Sequence, residues 1–345
     1  MALRLIEAFA SNEDIARLPE ILEGHEVLGI WEMDLEGELA GARILVESEG
    51  TEAVSDRLTS QLGRTEGFRL VLLRVEATIP APPEPEVTDS EIERGREKKK
   101  VGPARISREE LYQDLAGSSK ITQIYLVTVV LSTVVAAVGL LRGDVAVIIG
   151  AMVIAPLLGP NVALALGSTL GDSELIRRSL KTVAVGVGLA LALSIAFGLL
   201  TRLEIFGGVD LSSSQLASRA EVRLTDIALA LAAGSAGALA YTAGLPGSLI
   251  GVMVAVALLP PTVAMGLFLG SGDLGSAQGA FLLVATNVTC VNLAGVVTFL
   301  AQRVRPRTWW KAKKARKANR ISVAIWLAML LVLVAVIYYN RMLTS

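Results

Sequence analysis

Two stretches that lie 101 residues apart decide the fold. Residues 149–172 are IGAMVIAPLLGPNVALALGSTLGD, and residues 250–273 are IGVMVAVALLPPTVAMGLFLGSGD. Twelve of the 24 aligned positions are identical, which is more than shared hydrophobicity readily gives. Each stretch is apolar and carries prolines near its middle, at Pro156 and Pro160 and at Pro260 and Pro261. We interpret the stretches as copies of one membrane-spanning element with an interrupted helix.

Uncharged runs on both sides of these stretches predict further spans, because a helix needs about 20 apolar residues to cross the hydrocarbon core of a bilayer. The runs are residues 121–141, 145–171, 182–201, 227–272, 274–302 and 321–340. The fourth run is too long for one crossing and contains the turn-forming sequence Ala243-Gly244-Leu245-Pro246-Gly247. The sequence therefore predicts an α-helical polytopic membrane protein with seven spans.

Composition points to the same class and argues against enzymatic chemistry. The mean hydropathy is +0.57, and charged residues make up only 19% of the chain. A single cysteine, Cys290, and a single histidine, His25, leave no disulfide framework, Cys-rich metal site or Ser-His pair in a span. The sequence also lacks a phosphate-binding loop. We therefore expect no enzyme, no catalytic residues, no cofactor and no metal.

The charges are distributed unevenly and predict the topology. Residues 1–80 carry 7 basic and 16 acidic side chains, so nucleic acid is a poor partner for this part of the chain. Basic clusters at 98–120, 177–181 and 303–320 all fall on one side of a seven-span protein, and basic flanks face the cytoplasm. With no signal peptide in front, we expect a cytoplasmic N-terminal domain and an outside C-terminus.

The chain divides into four predicted parts. Residues 1–79 alternate as a ferredoxin-like βαββαβ domain of the α+β class, with a turn at Glu36-Gly37. Residues 80–120 form a Pro- and charge-rich linker, followed by a short amphipathic helix that starts at the capping box Ser107-Arg108-Glu109-Glu110. Residues 121–302 form the membrane domain. Residues 303–345 form a basic cytoplasmic loop, which contacts anionic lipid headgroups or serves only as a topology signal, and a seventh helix.

The repeat predicts how the membrane domain is built. Each copy is the middle of a three-helix unit, 121–201 or 222–302, and three crossings are an odd number. The second unit therefore enters the membrane from the opposite side, as in inverted-repeat transporters. The prolines should break the second and fifth helices near the bilayer midplane, with half-helices that begin near Asn161 and Thr262. Packing kinks that bind nothing are the alternative interpretation.

Polar residues near the breaks are the candidate site, since polar groups inside a membrane are often functional. The predicted solute path comprises Pro156, Gly159, Pro160, Asn161, Pro260, Pro261, Thr262, Asn287 and Asn292. Hydrogen bonds between helices would explain its polar members equally well. A predicted charged vestibule consists of residues spaced to share one helical face, and snorkelling to the interface is the alternative for Arg219, Arg223 and Asp226.

Five motifs carry a resemblance to a known family. They are GAMVIAPLLGP at 150–160, SR at 218–219, ALAAGSAGA at 230–238, LLPP at 258–261 and TN at 286–287. In these motifs the chain resembles the prokaryotic "uncharacterised hydrophobic domain" membrane proteins, which form the domain-of-unknown-function family 389. The resemblance covers about residues 120–302. It implies an integral protein of a prokaryotic inner membrane, without an assigned activity.

Two functions remain open at the level of sequence. The first is a channel or secondary transporter for a small solute or ion, with the path between the broken helices. The positive ends of the half-helices would slightly favour an anion, while the carbonyls exposed at the same breaks could coordinate a cation. The second is a membrane-anchored regulatory or scaffold protein, whose N-terminal domain senses a small ligand or pairs subunits. We also expect a homo-oligomer, because the seventh helix lies outside the repeat and faces lipid or another subunit.

Overall fold

A computed structural model describes residues 3–35, 39–76, 78–79, 106–202, 213–245, 258–304 and 309–344. Its two compact parts are Met1–Leu111, which we call the N-terminal unit, and Tyr112–Ser345, which we call the membrane unit. Three predicted features lie outside the described residues: the turn at Glu36-Gly37, the linker at 80–103 and the first half of the second repeat copy, 250–257.

Strands and helices of the N-terminal unit follow the predicted order. They are β1 (Leu3–Ser11), α1 (Asn12–Ala16), α2 (Leu18–Ile21), β2 (Gly29–Met33), β3 (Leu39–Glu47), α3 (Thr51–Leu62) and β4 (Arg69–Val75). The predicted βαββαβ order has one helix after β1, and Ser11 caps the start of α1. That single helix was wrong: α1 ends and α2 begins around Arg17. Pro19, at the start of α2, has no amide hydrogen with which to continue α1.

An antiparallel sheet in the order β2-β3-β1-β4 holds this unit together. One face of β1 places Ile6, Ala8 and Ala10 in a core with residues of the helices, including Leu18 and Leu58. Side chains on alternate positions of β1 are therefore completely buried, as the period of a half-buried strand requires.

The membrane unit consists mainly of apolar helices. They are α4 (Arg108–Ser118, whose first residues belong to the N-terminal unit), α5 (Gln123–Arg142), α6 (Val145–Ile154), α7 (Leu158–Leu170), α8 (Ser173–Arg202), α9 (Ser214–Ala217), α10 (Leu224–Thr242), α11 (Leu259–Ser271), α12 (Leu274–Ala301) and α13 (Trp309–Thr344). Five of the described helices are long and apolar enough to cross a membrane, and the bent pair α6 and α7 makes six if it counts as one span. The chain is thus a multi-pass membrane protein with five to six candidate spans.

Helix boundaries repeat at the spacing of the sequence repeat. Helices α5, α7 and α8 begin at residues 123, 158 and 173, and α10, α11 and α12 begin at 224, 259 and 274. The helix ends repeat too, since the amide of Asp172 bonds the carbonyl of Gly167 and the amide of Asp273 bonds that of Phe268, both over 2.9 Å. Each of these ends turns through a left-handed glycine, Gly171 or Gly272.

Close contacts between helices also occur as exchanged pairs. A Cβ added to Gly295 of α12 would lie 2.8 Å from the Cβ of Ala165 in α7. At the positions 101 residues away, a Cβ added to Gly266 of α11 would collide with the Cβ of Ser194 in α8. The short helix of each three-helix unit therefore packs against the long third helix of the other.

The basic stretch at 303–320 is not a loop throughout, and that prediction was wrong. Helix α13 begins at Trp309, so the second part of the stretch is helical and continuous with the last span, Ile321–Tyr339. Lysine, arginine and alanine are good helix formers. No residue that breaks a helix occurs between Trp309 and Ile321.

Glycines set the distance between α8 and α11, which yields a stability prediction. A Cβ on Gly198 would meet the carbonyl oxygen of Leu267 and would lie 2.9 Å from the Cα of Gly270. Gly188, on the same helix, has open space around its Cβ position. Gly198→Ala should destabilise the protein by ~1–3 kcal/mol through overpacking.

The matched control Gly188→Ala should have no such cost. Thermal unfolding of the two purified variants in detergent measures the difference. Equal midpoints for the two variants would show that α8 and α11 do not approach each other this closely.

A hydrogen bond fixes α4 to the turn between α7 and α8. The hydroxyl of Tyr112 donates to Oδ2 of Asp172 over 2.8 Å. Oδ1 of the same carboxylate accepts from the amides of Glu174 and Leu175 in the first turn of α8. Burial and the bond to Asp172 raise the pKa of Tyr112 above its ordinary value.

Tyr112→Phe should lower the free energy of unfolding by about 1 kcal/mol at neutral pH. The folded-state pKa of Tyr112 lies above that of the unfolded chain, so its contribution is complete below pH ~10 and is lost as the pH rises through the folded pKa. The difference between the parent and the variant should therefore shrink in alkali. Denaturation in detergent from pH 7 to 11 tests this, with the exposed Tyr338→Phe as control, and a pH-independent difference would contradict it.

Candidate functional site

The second predicted span is interrupted at residues 155–157, where α6 and α7 meet at an angle of 53°. Ala155, the last residue before Pro156, is extended, with φ −65° and ψ 122°. A proline pushes the preceding residue out of the helical region, because its ring collides with that residue's backbone. Pro156 therefore causes the break, as its position in the sequence predicted.

The other prolines lie inside helices, which corrects the sequence prediction. Gly159 and Pro160 belong to the first turn of α7, and Pro260 and Pro261 belong to the first turn of α11. The half-helices begin at Leu158 and Leu259 rather than near Asn161 and Thr262. Proline fits the first turn because the amides there have no partner within the helix. Pro160 therefore lies in the first turn of a helix instead of breaking it, and Pro260 and Pro261 begin a helix.

The same prolines reduce the number of free amide donors at the half-helix starts. An anion at a helix N-terminus is bound by the unpaired amides of the first turn. Pro160 removes one such amide from α7, and Pro260 and Pro261 remove two from α11. The half-helix starts are therefore poorer anion sites than ordinary helix starts.

Side chains at equivalent positions of the repeat bond backbone carbonyls at the two half-helix starts. Nδ2 of Asn161 donates to the carbonyl of Leu157 over 2.9 Å. The hydroxyl of Thr262 donates to the carbonyl of Leu258 over 2.8 Å. Both side chains are buried, and each bonds the carbonyl four residues earlier.

Asn161 also reaches a second predicted site residue, Asn292 of α12. Nδ2 of Asn292 donates to Oδ1 of Asn161 over 3.3 Å and to the carbonyl of Val288 over 2.9 Å. Asn292 is fully buried, and its Oδ1 atom has no hydrogen-bond partner. Two predicted path residues that are 131 positions apart therefore meet, and one of them keeps an unused acceptor.

Protein encloses this contact. All residues of α7 from Leu158 to Thr169 are buried, which is unusual for a helix in an apolar layer. Asn287 is also buried on α12, one position after Thr286. The hydroxyl of Thr286 has no partner, and this residue is not part of the path predicted from the sequence.

Gly159 has a packing role that the sequence did not indicate. A Cβ at this position would lie 2.7 Å from the Cβ of Ser118, in α4, and 3.4 Å from the hydroxyl of Tyr241, in α10. A side chain larger than hydrogen would push these groups away from the start of α7. The glycine in the GP pair is thus required for close approach rather than for a bend.

The predicted vestibule is not formed by one helical face, so that prediction was wrong. Helix α9 ends at Ala217 and α10 begins at Leu224, which leaves Arg219 and Arg223 outside both helices. Asp226 accepts a hydrogen bond from the backbone amide of Arg223 over 2.8 Å and acts as a helix cap. Arg219 instead donates to the carbonyl of Gln215 and to Ser218. Partial burial lowers the pKa of Arg219.

Comparisons with known proteins agree with the resemblance seen in the motifs. The profile of a family described as "Domain of unknown function (DUF389)" matches residues 152–293. An uncharacterized protein of Methanocaldococcus jannaschii is 32% identical over 341 residues, which are 99% of this chain and 100% of the relative. No solved structure matches the chain. With a relative that is similar over its full length and a family profile that covers the helix break at 155–157 and the Asn161–Asn292 contact, the chain belongs to the DUF389 family of unknown function.

Proposed function

We propose that the membrane unit is a channel or secondary transporter for a small solute or ion. The path passes the first turns of α7 and α11 and the buried asparagines of α12. The observation that carries this proposal is the contact between Asn161 and Asn292, with its unpaired, fully buried amide oxygen beside a helix break. A buried polar group without a partner destabilises a protein by about 1–3 kcal/mol. A residue with a purely structural role would have no reason to keep such a group.

The break itself supports a solute path. Lipid cannot bond the carbonyls and amides that a broken helix exposes, so such backbone occurs in membranes only where protein or a wet cavity covers it. Transporters place solute at such interrupted helices near the midplane. Helices α6 and α7 have 10 and 13 residues, so the break lies close to the middle of their combined length.

Two inverted three-helix repeats and seven spans complete the proposed architecture. The matching helix starts and the exchanged contacts, Ala165 with Gly295 and Ser194 with Gly266, are those expected of units related by a two-fold axis. In this proposal α11 belongs to the fifth span predicted from the sequence, and residues 246–257 ahead of it lie outside the described residues. Three crossings per unit then place the axis in the membrane plane.

The proposed orientation keeps the N-terminal unit in the cytoplasm of a prokaryotic cell and the C-terminus outside, because basic flanks stay inside. The basic stretch 303–320 would lie on anionic lipid headgroups. The span of α13 presents exposed apolar side chains, among them Ile325 and Leu331, to lipid or to a second copy of the chain. This supports a homo-oligomer.

Flux through purified protein in liposomes tests the function. Asn161→Leu and Asn287→Leu should lower the uptake of a panel of labelled small ions and solutes at least about tenfold, the equivalent of ~1.4 kcal/mol. Pro261→Ala should lower uptake as well, because it adds an amide to the start of α11. Ile325→Ala, on the exposed face of α13, is the matched control and should keep the parental flux.

Equal protein density must be verified for every variant. If the parent transports none of the panel, or if all three site variants transport like the parent, the break is only a packing feature.

The second candidate function, a regulatory N-terminal unit, is favoured by the ion pairs of α4. Glu110 bonds Arg74 over 2.7 Å and Arg4 over 3.2 Å, and Arg4 is nearly buried. Arg108 pairs with Asp56 over 3.1 Å and with Glu52 over 3.5 Å. These contacts fix the first turn of α4 within the N-terminal unit, and the same helix continues into the membrane unit. A helix held in this way could pass a change in the N-terminal unit to the start of α7.

Glu110→Ala should therefore change the flux at least about twofold while the protein still inserts, because it leaves the nearly buried Arg4 without its partner. Glu174→Ala is the control, since Glu174 pairs with Arg177 and Arg178 only on an exposed surface. Deletion of residues 1–103 should change the flux or the oligomer size measured by light scattering. If neither change alters flux or oligomer size, the N-terminal unit does not regulate or assemble the protein.

A further inference from the structure

We infer that the break between α6 and α7 binds a small monovalent cation, with Oδ1 of Asn292 as one of its ligands. This inference names the solute class and rests on the proposed function. It departs from the anion that the helix dipoles suggested, and the reasons lie in the donors and acceptors at the break.

The helix dipoles do not decide the sign of the solute. The start of α7 carries a positive partial charge, but the end of α6 carries a negative one of similar size. Both ends meet at residues 155–157. Their effects on a charge placed at the break oppose each other, so the individual polar groups determine which ion is favoured.

Those groups are mainly acceptors. Pro156 has no amide hydrogen to donate to the carbonyl of Met152, four residues earlier, and Pro160 has none for the carbonyl of Pro156. Nδ2 of Asn292 donates to Asn161 and to Val288, and Oδ1 of the same side chain has no hydrogen-bond partner. The oxygen of a side-chain amide only accepts hydrogen bonds or coordinates cations.

The buried side chains of the membrane unit limit the charge of the ligand. Between residues 121 and 304, the buried side chains of the described residues that carry a polar group are serine, threonine, asparagine, Tyr125 and Cys290. No buried lysine or arginine among them could neutralise an anion. No buried carboxylate among them could offset a divalent cation, which proteins usually bind with carboxylates. Neutral oxygens are instead the ligands from which selectivity filters for monovalent cations are built.

Binding is measured on the full-length protein in detergent, independently of transport. The unfolding midpoint is followed while N-methylglucamine chloride is replaced by sodium, potassium or ammonium chloride at constant ionic strength. We expect saturable stabilisation by at least one of these cations. Exchange of chloride for nitrate or gluconate at a fixed cation should leave the midpoint unchanged.

Variants locate the effect. Asn292→Leu should weaken the cation-dependent stabilisation about tenfold in concentration. Thr289→Val is the matched control, because Thr289 is also buried on α12 but its hydroxyl bonds only the local carbonyl of Ala285. Asn292→Asp keeps the shape and adds a charge, so it should tighten cation binding at pH 8 and remains informative if the leucine variant fails to fold.

The outcomes separate this inference from the proposed function. Cation binding without flux in liposomes would leave the inference standing and overturn the transporter. Flux with a reversal potential that follows the anion gradient would support the transporter and overturn the cation inference. Stabilisation by anions or by neutral solutes such as urea derivatives, or cation dependence that Asn292→Leu and Asn292→Asp leave unchanged, would overturn the inference.

Discussion

A helix that stops inside an apolar layer leaves backbone groups that lipid cannot bond, and the membrane unit is organised around this constraint. Pro156 makes the stop unavoidable. Asn161 then bonds the carbonyl of Leu157, and the rest of α7 is surrounded by protein. The polar and the packing features of the unit are thus two responses to one cost, that of unpaired amides and carbonyls away from water.

Covering the break requires helices to approach closely, which explains where the small residues lie. Gly159 admits Ser118 and Tyr241 at the start of α7, and Gly234 of α10 faces the backbone of Val291 in α12. Association between helices in a membrane depends on such packing, because lipid chains are as apolar as the side chains. Helix α13 carries no glycine and is mostly exposed, although it also packs against α7 and α12.

The apolar runs, their limits and the 101-residue offset could be read from the sequence because the spacing of charges and turn residues is a local signal. Three features could not be predicted in this way. Whether a proline breaks or begins a helix depends on which amides are already unpaired, so Pro160 was assigned the wrong role. The predicted common face of Arg219 and Asp226 required a helix that runs through both residues, but the helix before them ends at Ala217. The partnership of Asn161 with Asn292 is a tertiary contact across 131 residues.

The repeat also contains an asymmetry that bears on the number of sites. At the 101-residue offset of the repeat, Asn161 corresponds to Thr262 and Asn292 corresponds to Leu191. The hydroxyl of Thr262 bonds only the local carbonyl of Leu258, and leucine offers no polar atom. The backbone therefore repeats, but the polar contact between the half-helix and the third helix exists in one copy alone among the described residues. In the proposed transporter, this asymmetry would give one binding position per chain, beside α7, so that a bound solute would meet different surroundings in its two directions.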